Sequence, residues 1–319
     1  MGSSPGSLPS HKAEPVNSGS PRIAVVIPAY NSSAYIAAAL DSILSQSRPA
    51  DEIMVVDDGS TDDTAAVAAG VNSKVVVVRQ KNAGSGSARR CGMEATTAEW
   101  LLFLDADDIL CQPALEKLLA ALRPHPTAAL AYCTAELWSP GADVPSCADT
   151  LGSLDGNNAW GGLLYRNSIR TPGCVLIRRA ALVEAGGWGT DPELKGNEDW
   201  ELWLRLAENR PFVPVREPLL KYRVHSQAFS SDRRKMYRSM FAIFSKQRSR
   251  WKGSPARRRA VDAGEWHNCK YVLNEIWSGA RSACARGQLV SAASLLMDAV
   301  RLGARPLFTR VLNVGSASR

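Results

Sequence analysis

Trp100-Leu101-Leu102-Phe103-Leu104-Asp105-Ala106-Asp107-Asp108 is the stretch on which the reading of this chain turns. Five apolar residues in a row suit a short strand buried on both faces, as in a parallel sheet covered by helices. The run then stops at three carboxylates within four positions. Charges that repel each other gather at a strand end more readily for a cation or for hydrogen-bond donors than for stability alone. Asp105 and Asp107 flank a single residue, a spacing that can aim both at one hard divalent ion, Mg²⁺ or Mn²⁺, with coordination positions left over for diphosphate oxygens. The competing reading is a solvated acidic turn.

Working outward, the chain alternates strand and helix. Upstream lie the strand Ile23 to Ile27, stopped by Pro28, and a helix with Ile36, Ala39, Leu40, Ile43 and Leu44 on one face. Next come the strand Ile53 to Val56, a helix over Thr61 to Ala69, the strand Val75 to Val78 and a Gly-opened helix over Gly84 to Thr97. Repeated βα units imply an α/β, doubly wound, mostly parallel sheet with helices on both faces and right-handed crossovers. Downstream, Gly173 to Ile177 reads as a further strand and Asn197 to Ala207 as a helix, while 138–158, rich in turn formers, reads as a long loop. Residues 1–20 are rich in Gly, Ser and Pro and are expected to be a disordered tail. A catalytic domain is placed at 21–230 and a basic helical C-terminal region at 231–319.

In an open parallel sheet, ligands bind at the carboxyl ends of the strands. Three clusters fall there: Pro28-Ala29-Tyr30-Asn31, Asp57-Asp58-Gly59-Ser60 and Asp105-Ala106-Asp107-Asp108. Asp58 can accept from a base or ribose, or can be an Asp-Gly turn residue. Tyr30 can stack on a base or simply pack. Gly84-Ser85-Gly86 with Arg89 lacks the third glycine of a dinucleotide fingerprint and follows the third strand, so a Rossmann cofactor site is rejected. Arg89 reads either as a phosphate or base contact or as a helix-surface arginine. Asp199 opens a helix, where the dipole favours its charged form; it can cap that turn or take a proton from an acceptor hydroxyl. His225 in Tyr222-Arg223-Val224-His225 is structural or completes a metal shell.

Taken together, these segments resemble the inverting GT-A glycosyltransferases of family 2, over about two thirds of the chain. The matching pieces are Val25 to Asn31, Val55 to Asp62, Asn82-Ala83-Gly84 with Ala88-Arg89, Leu104 to Asp108, Asn197-Glu198-Asp199-Trp200 and Tyr222 to His225. The resemblance implies a nucleotide-diphosphate sugar donor, usually UDP-linked, a divalent metal, and a saccharide or lipid-linked acceptor in cell-surface polysaccharide or glycolipid synthesis. It places Pro28 and Tyr30 around the nucleobase, Asp58 on the uracil or ribose, and Arg89, Asp105 and Ala106 with the donor. It further places Asp107, Asp105 and the late His225 at the metal, and makes Asp199 the catalytic base. Arg90, where such enzymes often have Asn, is expected to alter donor contacts.

The bulk numbers are compatible with this. The chain has 319 residues, 45% hydrophobic, and a formal charge of +7, which suits anionic partners without choosing among them. Seven cysteines, none in C-x-x-C spacing, argue against a zinc site or a disulfide framework. With neither a leader-like N-terminus nor a stretch of about 20 apolar residues, a cytoplasmic chain is expected, peripheral at most on the inner membrane face. Two rival readings remain. A sugar nucleotidyltransferase would carry a Gly-rich basic loop after the first strand, where this chain has Pro28-Ala29-Tyr30-Asn31-Ser32-Ser33. Non-enzymatic binding to membrane or nucleic acid could use Arg233-Arg234-Lys235 and Arg257-Arg258-Arg259, although no nucleic-acid motif accompanies them.

Overall fold

The computed structural model describes residues 20–138, 154, 158–224 and 232–286. Four strands form the parallel half of the sheet: β1 (Ile23–Ala29), β2 (Glu52–Asp57), β3 (Val75–Arg79) and β4 (Trp100–Phe103). They lie side by side as β3-β2-β1-β4, every neighbouring pair parallel. The β-branched run of β1 is buried almost throughout, as expected of a strand covered on both faces. Helices α1 (Ile36–Leu44), α2 (Thr64–Val71) and α3 (Ser85–Ala95) make the crossovers. The α1 stripe of Ile36, Ala39, Leu40 and Ile43 is fully buried, as its spacing predicts. Helix α3 lies so close to the sheet that a Cβ at Gly92 would sit 2.3 Å from Val26 Cγ1. Helix α2 begins three residues later than the sequence suggests, because the Asp62 carboxylate accepts from Thr64 N at 3.0 Å and holds the preceding turn open.

Beyond β4 the sheet turns mixed. The strands β5 (Ile109–Leu110), β6 (Leu130–Trp138), β7 (Val175–Arg178) and β8 (Phe212–Arg223) extend it as β4-β7-β6-β8-β5. Here β7 is antiparallel to both β4 and β6, β5 is antiparallel to β8, and only β6 and β8 run parallel. The predicted loop 138–158 lies outside the described residues apart from Trp138, Leu154 and Asn158. Helices α4 (Ala114–Leu122), α5 (Ala159–Tyr165), α6 (Arg179–Glu184) and α7 (Glu198–Ala207) complete the layers.

The C-terminal region contributes α8 (Arg233–Arg250) and α9 (Pro255–Ala285). Met240, Ile243, Phe244, Val261, Val272 and Ile276 join the same apolar core as the sheet. Several of its arginines are engaged within the molecule, while Arg258 and Arg259 are exposed. Arg257 lies 3.9 Å from the Trp251 ring centroid, Arg248 pairs with Glu265 at 2.5 Å, and Arg233 pairs with Glu275 at 2.9 Å. Among the described residues, no helix is long and apolar enough to cross a membrane.

Candidate active site

The carboxyl ends of β1, β2 and β4 open onto a cavity of about 430 Å³, whose far wall is the start of α7 and one residue of α8. Tyr30, Asp58, Arg89, Asp105, Asp107 and Asp199 all line it, so segments far apart in sequence meet at one rim. Pro28 and Ala106, both read as donor-binding, are not in the lining. Ala106 is only 5% exposed, folded under the acidic turn, and Pro28 lies within β1, whose register continues through Ala29. His225 lies outside the described residues.

The neighbouring Asp57 and Asp58 do different work. Fully buried Asp57 pairs with Arg79 Nε at 2.6 Å and accepts from Ser60 N, closing the turn in which Gly59 takes φ +76°. Asp58 reaches the cavity. Its oxygens accept from Ala83 N and Gly84 N, both at 2.8 Å, and from Gln80 Nε2 at 2.7 Å. The carboxylate therefore fixes the 82–84 loop as well as bordering the site.

Asp105 is held on both oxygens, by Arg89 Nη2 at 2.6 Å and by Thr171 Oγ1 at 2.8 Å. Arg89 is not a surface arginine: it is buried and stacks 4.8 Å from the Trp188 ring centroid. Burial works to lower the pKa of its guanidinium, but Asp105, Glu198 and Asp199 together raise it above the ordinary value. Arg90, by contrast, points away from the cavity and donates to Trp188 O at 3.0 Å and Gly186 O at 3.3 Å. The expectation that it alters donor contacts is thus corrected: its side chain is occupied by the carbonyls of a turn.

Behind the acidic turn, Asp108 is buried and accepts from Arg223 N at 3.0 Å, while Arg223 Nε donates to Asp107 O at 2.8 Å. Burial, together with Asp105 and Asp107, pushes the Asp108 carboxyl well above the usual range. Arg223 is sandwiched between Trp138 and Tyr35, with ring centroids at 4.1 and 4.9 Å. Nothing local in Tyr222-Arg223-Val224-His225 marks Arg223 as a clamp on the turn, because its partners Asp108 and Asp107 lie 115 and 116 positions away. Thr171 carries no motif and could be found only in three dimensions.

Across the cavity, Asp199 stands in the first turn of α7 and accepts from its neighbour's amide, Trp200 N, at 2.7 Å. It is partly exposed to the cavity yet enclosed by protein. Loss of water raises its carboxyl pKa to about 7, opposed by the Trp200 amide and Arg89 and assisted by Glu198 and Asp105. Glu198, also in the lining, accepts from Gly196 N at 2.7 Å and Ser85 Oγ at 3.3 Å, joining α7 to the start of α3.

The donor set suits a hard divalent cation only in part. Asp105 and Asp107 offer carboxylate oxygens at the cavity edge, but the described residues contain no group of three or more potential ligands. Such a cation would take one or two protein carboxylates and complete its shell from diphosphate and water, the habit of Mg²⁺ and Mn²⁺ in phosphate sites.

A mixed sheet whose parallel half delivers carboxylates to one rim, facing a helix-borne carboxylate, has the GT-A fold. The chain matches the family model for glycosyl transferase family 2 over residues 24–185 and belongs to that family. An uncharacterized glycosyltransferase of Rickettsia prowazekii is 27% identical over 208 residues, 65% of this chain and 65% of that protein. This chain thus spans just under two thirds of that relative's length. The fold is similar to the crystal structure of S. aureus TarS in complex with UDP, with a TM-score of 0.55 at 22% identity over 71% of this chain and 65% of that one. It is also similar to the mannosyltransferase PcManGT from Pyrobaculum calidifontis in complex with GDP-Man and Mn²⁺, with a TM-score of 0.57 at 21% identity over 93% and 80% of the two chains.

Proposed function

We propose that this chain transfers a sugar from a nucleotide-diphosphate donor, UDP-linked, to a hydroxyl of a saccharide or lipid-linked acceptor with inversion at the anomeric carbon. The observation that carries the reading is Asp199, a carboxyl with its pKa near 7, facing Asp105 and Asp107 across a cavity of about 430 Å³. A base poised near neutrality can take the acceptor proton as the glycosidic bond to the leaving diphosphate breaks. One displacement suffices, and no covalent sugar–enzyme intermediate is required.

The residues take these roles in the proposal. Tyr30 and Asp58 receive the nucleoside, and Asp58 keeps the 82–84 loop in place beneath it. Arg89 orients Asp105 and spreads positive charge toward Asp199. Asp107 and Asp105 hold Mn²⁺ or Mg²⁺, which when bound neutralises charge developing on the departing diphosphate. The relatives named as glycosyltransferases and the fold shared with nucleotide-bound neighbours support this reading. A screen of UDP-, GDP- and dTDP-sugars with Mn²⁺, read by release of nucleoside diphosphate, tests it. Pyrophosphate release from a nucleoside triphosphate and a sugar phosphate, with no diphosphate release in the screen, would instead make the chain a nucleotidyltransferase.

A further inference from the structure

Asn197 is the N-cap residue of α7, two positions before Asp199. An asparagine there ordinarily turns its oxygen back onto the second or third amide of its own helix. This one makes no such bond. Its side-chain amide points to α8, donating to Ser239 Oγ at 2.6 Å and Met236 O at 3.0 Å. Asn197 and Ser239 are both buried, and Met236 lines the cavity beside Asn197, Glu198 and Asp199. The link is flanked by others: Lys246 pairs with Asp191 at 2.5 Å, Arg250 donates to Glu208 at 2.6 Å, and the Trp200 and Phe244 rings meet edge to face at 5.9 Å. Helix α8 therefore grips the 191–208 segment before, at and after the turn that presents Asp199.

We propose that Asn197 is a positioning residue, whose side chain gives up helix capping to latch the C-terminal helix α8 onto the turn carrying Asp199. On this inference, which rests on the proposed transferase reading, the C-terminal helix is part of the active centre: it fixes where the base stands, and Met236 forms the wall beside it.

The test uses the full chain. Asn197→Ser keeps a good N-cap but is too short to reach α8, and Ser239→Ala removes the shorter of the two bonds from the other side, leaving that to Met236 O. Amide hydrogen exchange at 197–200 and 235–239 should rise together in either variant. Turnover of whichever UDP-sugar the wild-type enzyme consumes should fall roughly 10- to 100-fold, the effect of misplacing a reacting group by about an ångström. Affinity for UDP with Mn²⁺ should stay at the wild-type value. The double variant should be no worse than Asn197→Ser alone, because that change already breaks both bonds to α8. Unchanged exchange at 197–200, unchanged turnover, or UDP affinity falling in step with turnover would each overturn the latch. A wild-type chain that consumes no nucleotide-sugar would sink the transferase reading, while the exchange data would still decide whether α8 holds the Asp199 turn.

Discussion

Arg89 Nη2 meets Asp105 Oδ1 at 2.6 Å, and the same guanidinium faces Asp199, so one buried cation stands between the acidic turn after β4 and the first turn of α7. Its Nε is buried with no hydrogen-bond partner among the described residues, and the ion pair and the Trp188 face hold it in place.

Arg89→Met should therefore cost more than a surface charge would. Removing one member of a buried pair leaves carboxylates uncompensated, at about 3 kcal/mol or more. Thermal unfolding should show the loss, and the acid limb of activity should move to higher pH because Asp199 loses its nearest cation. A melting temperature equal to wild type would mean the pair is not structural.

Asp199→Asn removes the proposed base without changing shape. Transfer should fall by roughly 10²- to 10⁴-fold, while calorimetric titration with UDP and Mn²⁺ gives the wild-type affinity. Undiminished turnover would take Asp199 out of the role.

The pH dependence follows from the sign of the Asp199 shift. Its carboxyl titrates near 7 in the folded chain against an ordinary value of 3.8. A base must be unprotonated, so kcat/KM should fall as pH drops through about 7, tenfold per unit below it. For stability, the folded state holds the proton more tightly than the unfolded state between pH 4 and 7. The group's contribution is thus most favourable below pH 4 and declines up to pH 7. Asp199→Asn should accordingly raise the melting temperature at pH 8 and change it little at pH 4. An equal effect at both would show that the carboxyl is not perturbed.

Asp58→Ala should release the 82–84 loop, since both loop amides and Gln80 lose their acceptor at once. Weaker UDP binding together with faster amide exchange at Ala83 and Gly84 is the expected pair of results. Weaker binding with no change in exchange would make Asp58 a ligand contact only.

Asp107→Asn should abolish the Mn²⁺ dependence of UDP affinity, measured by titration with and without a chelator. Asp105→Asn should in addition lower the melting temperature, because Arg89 and Thr171 lose a charged acceptor. Wild-type nucleotide affinity and turnover undisturbed by chelation would argue against a cation at this turn.

The parallel half of the fold was legible in the sequence because βα units are local objects. A β-branched strand, a helix stripe at 3.6-residue spacing and an acidic turn each lie within a dozen residues, and β1 to β4 fall close to where those patterns put them. The carboxylates Asp58, Asp105 and Asp107 were legible for the same reason, each sitting at the end of such a strand. The run Gly173 to Ile177 announced β7 as a strand but not its antiparallel direction, and the two-residue β5 carries no comparable signal. Their pairing partners lie roughly 40 to 110 positions away, and short apolar runs do not declare a direction.

What the sequence determined by itself was the order of elements and the chemistry available at each strand end. What only the tertiary structure decided was which side chains face the cavity and which are occupied elsewhere. Arg89 and Arg90 are adjacent, yet one pairs with Asp105 in the cavity wall and the other with turn carbonyls outside it, because successive helix residues point about 100° apart. Asn197 ties α7 to α8 instead of capping its own helix for a related reason: the partner that decides its role, Ser239, is 42 residues away and meets it only in the packed chain.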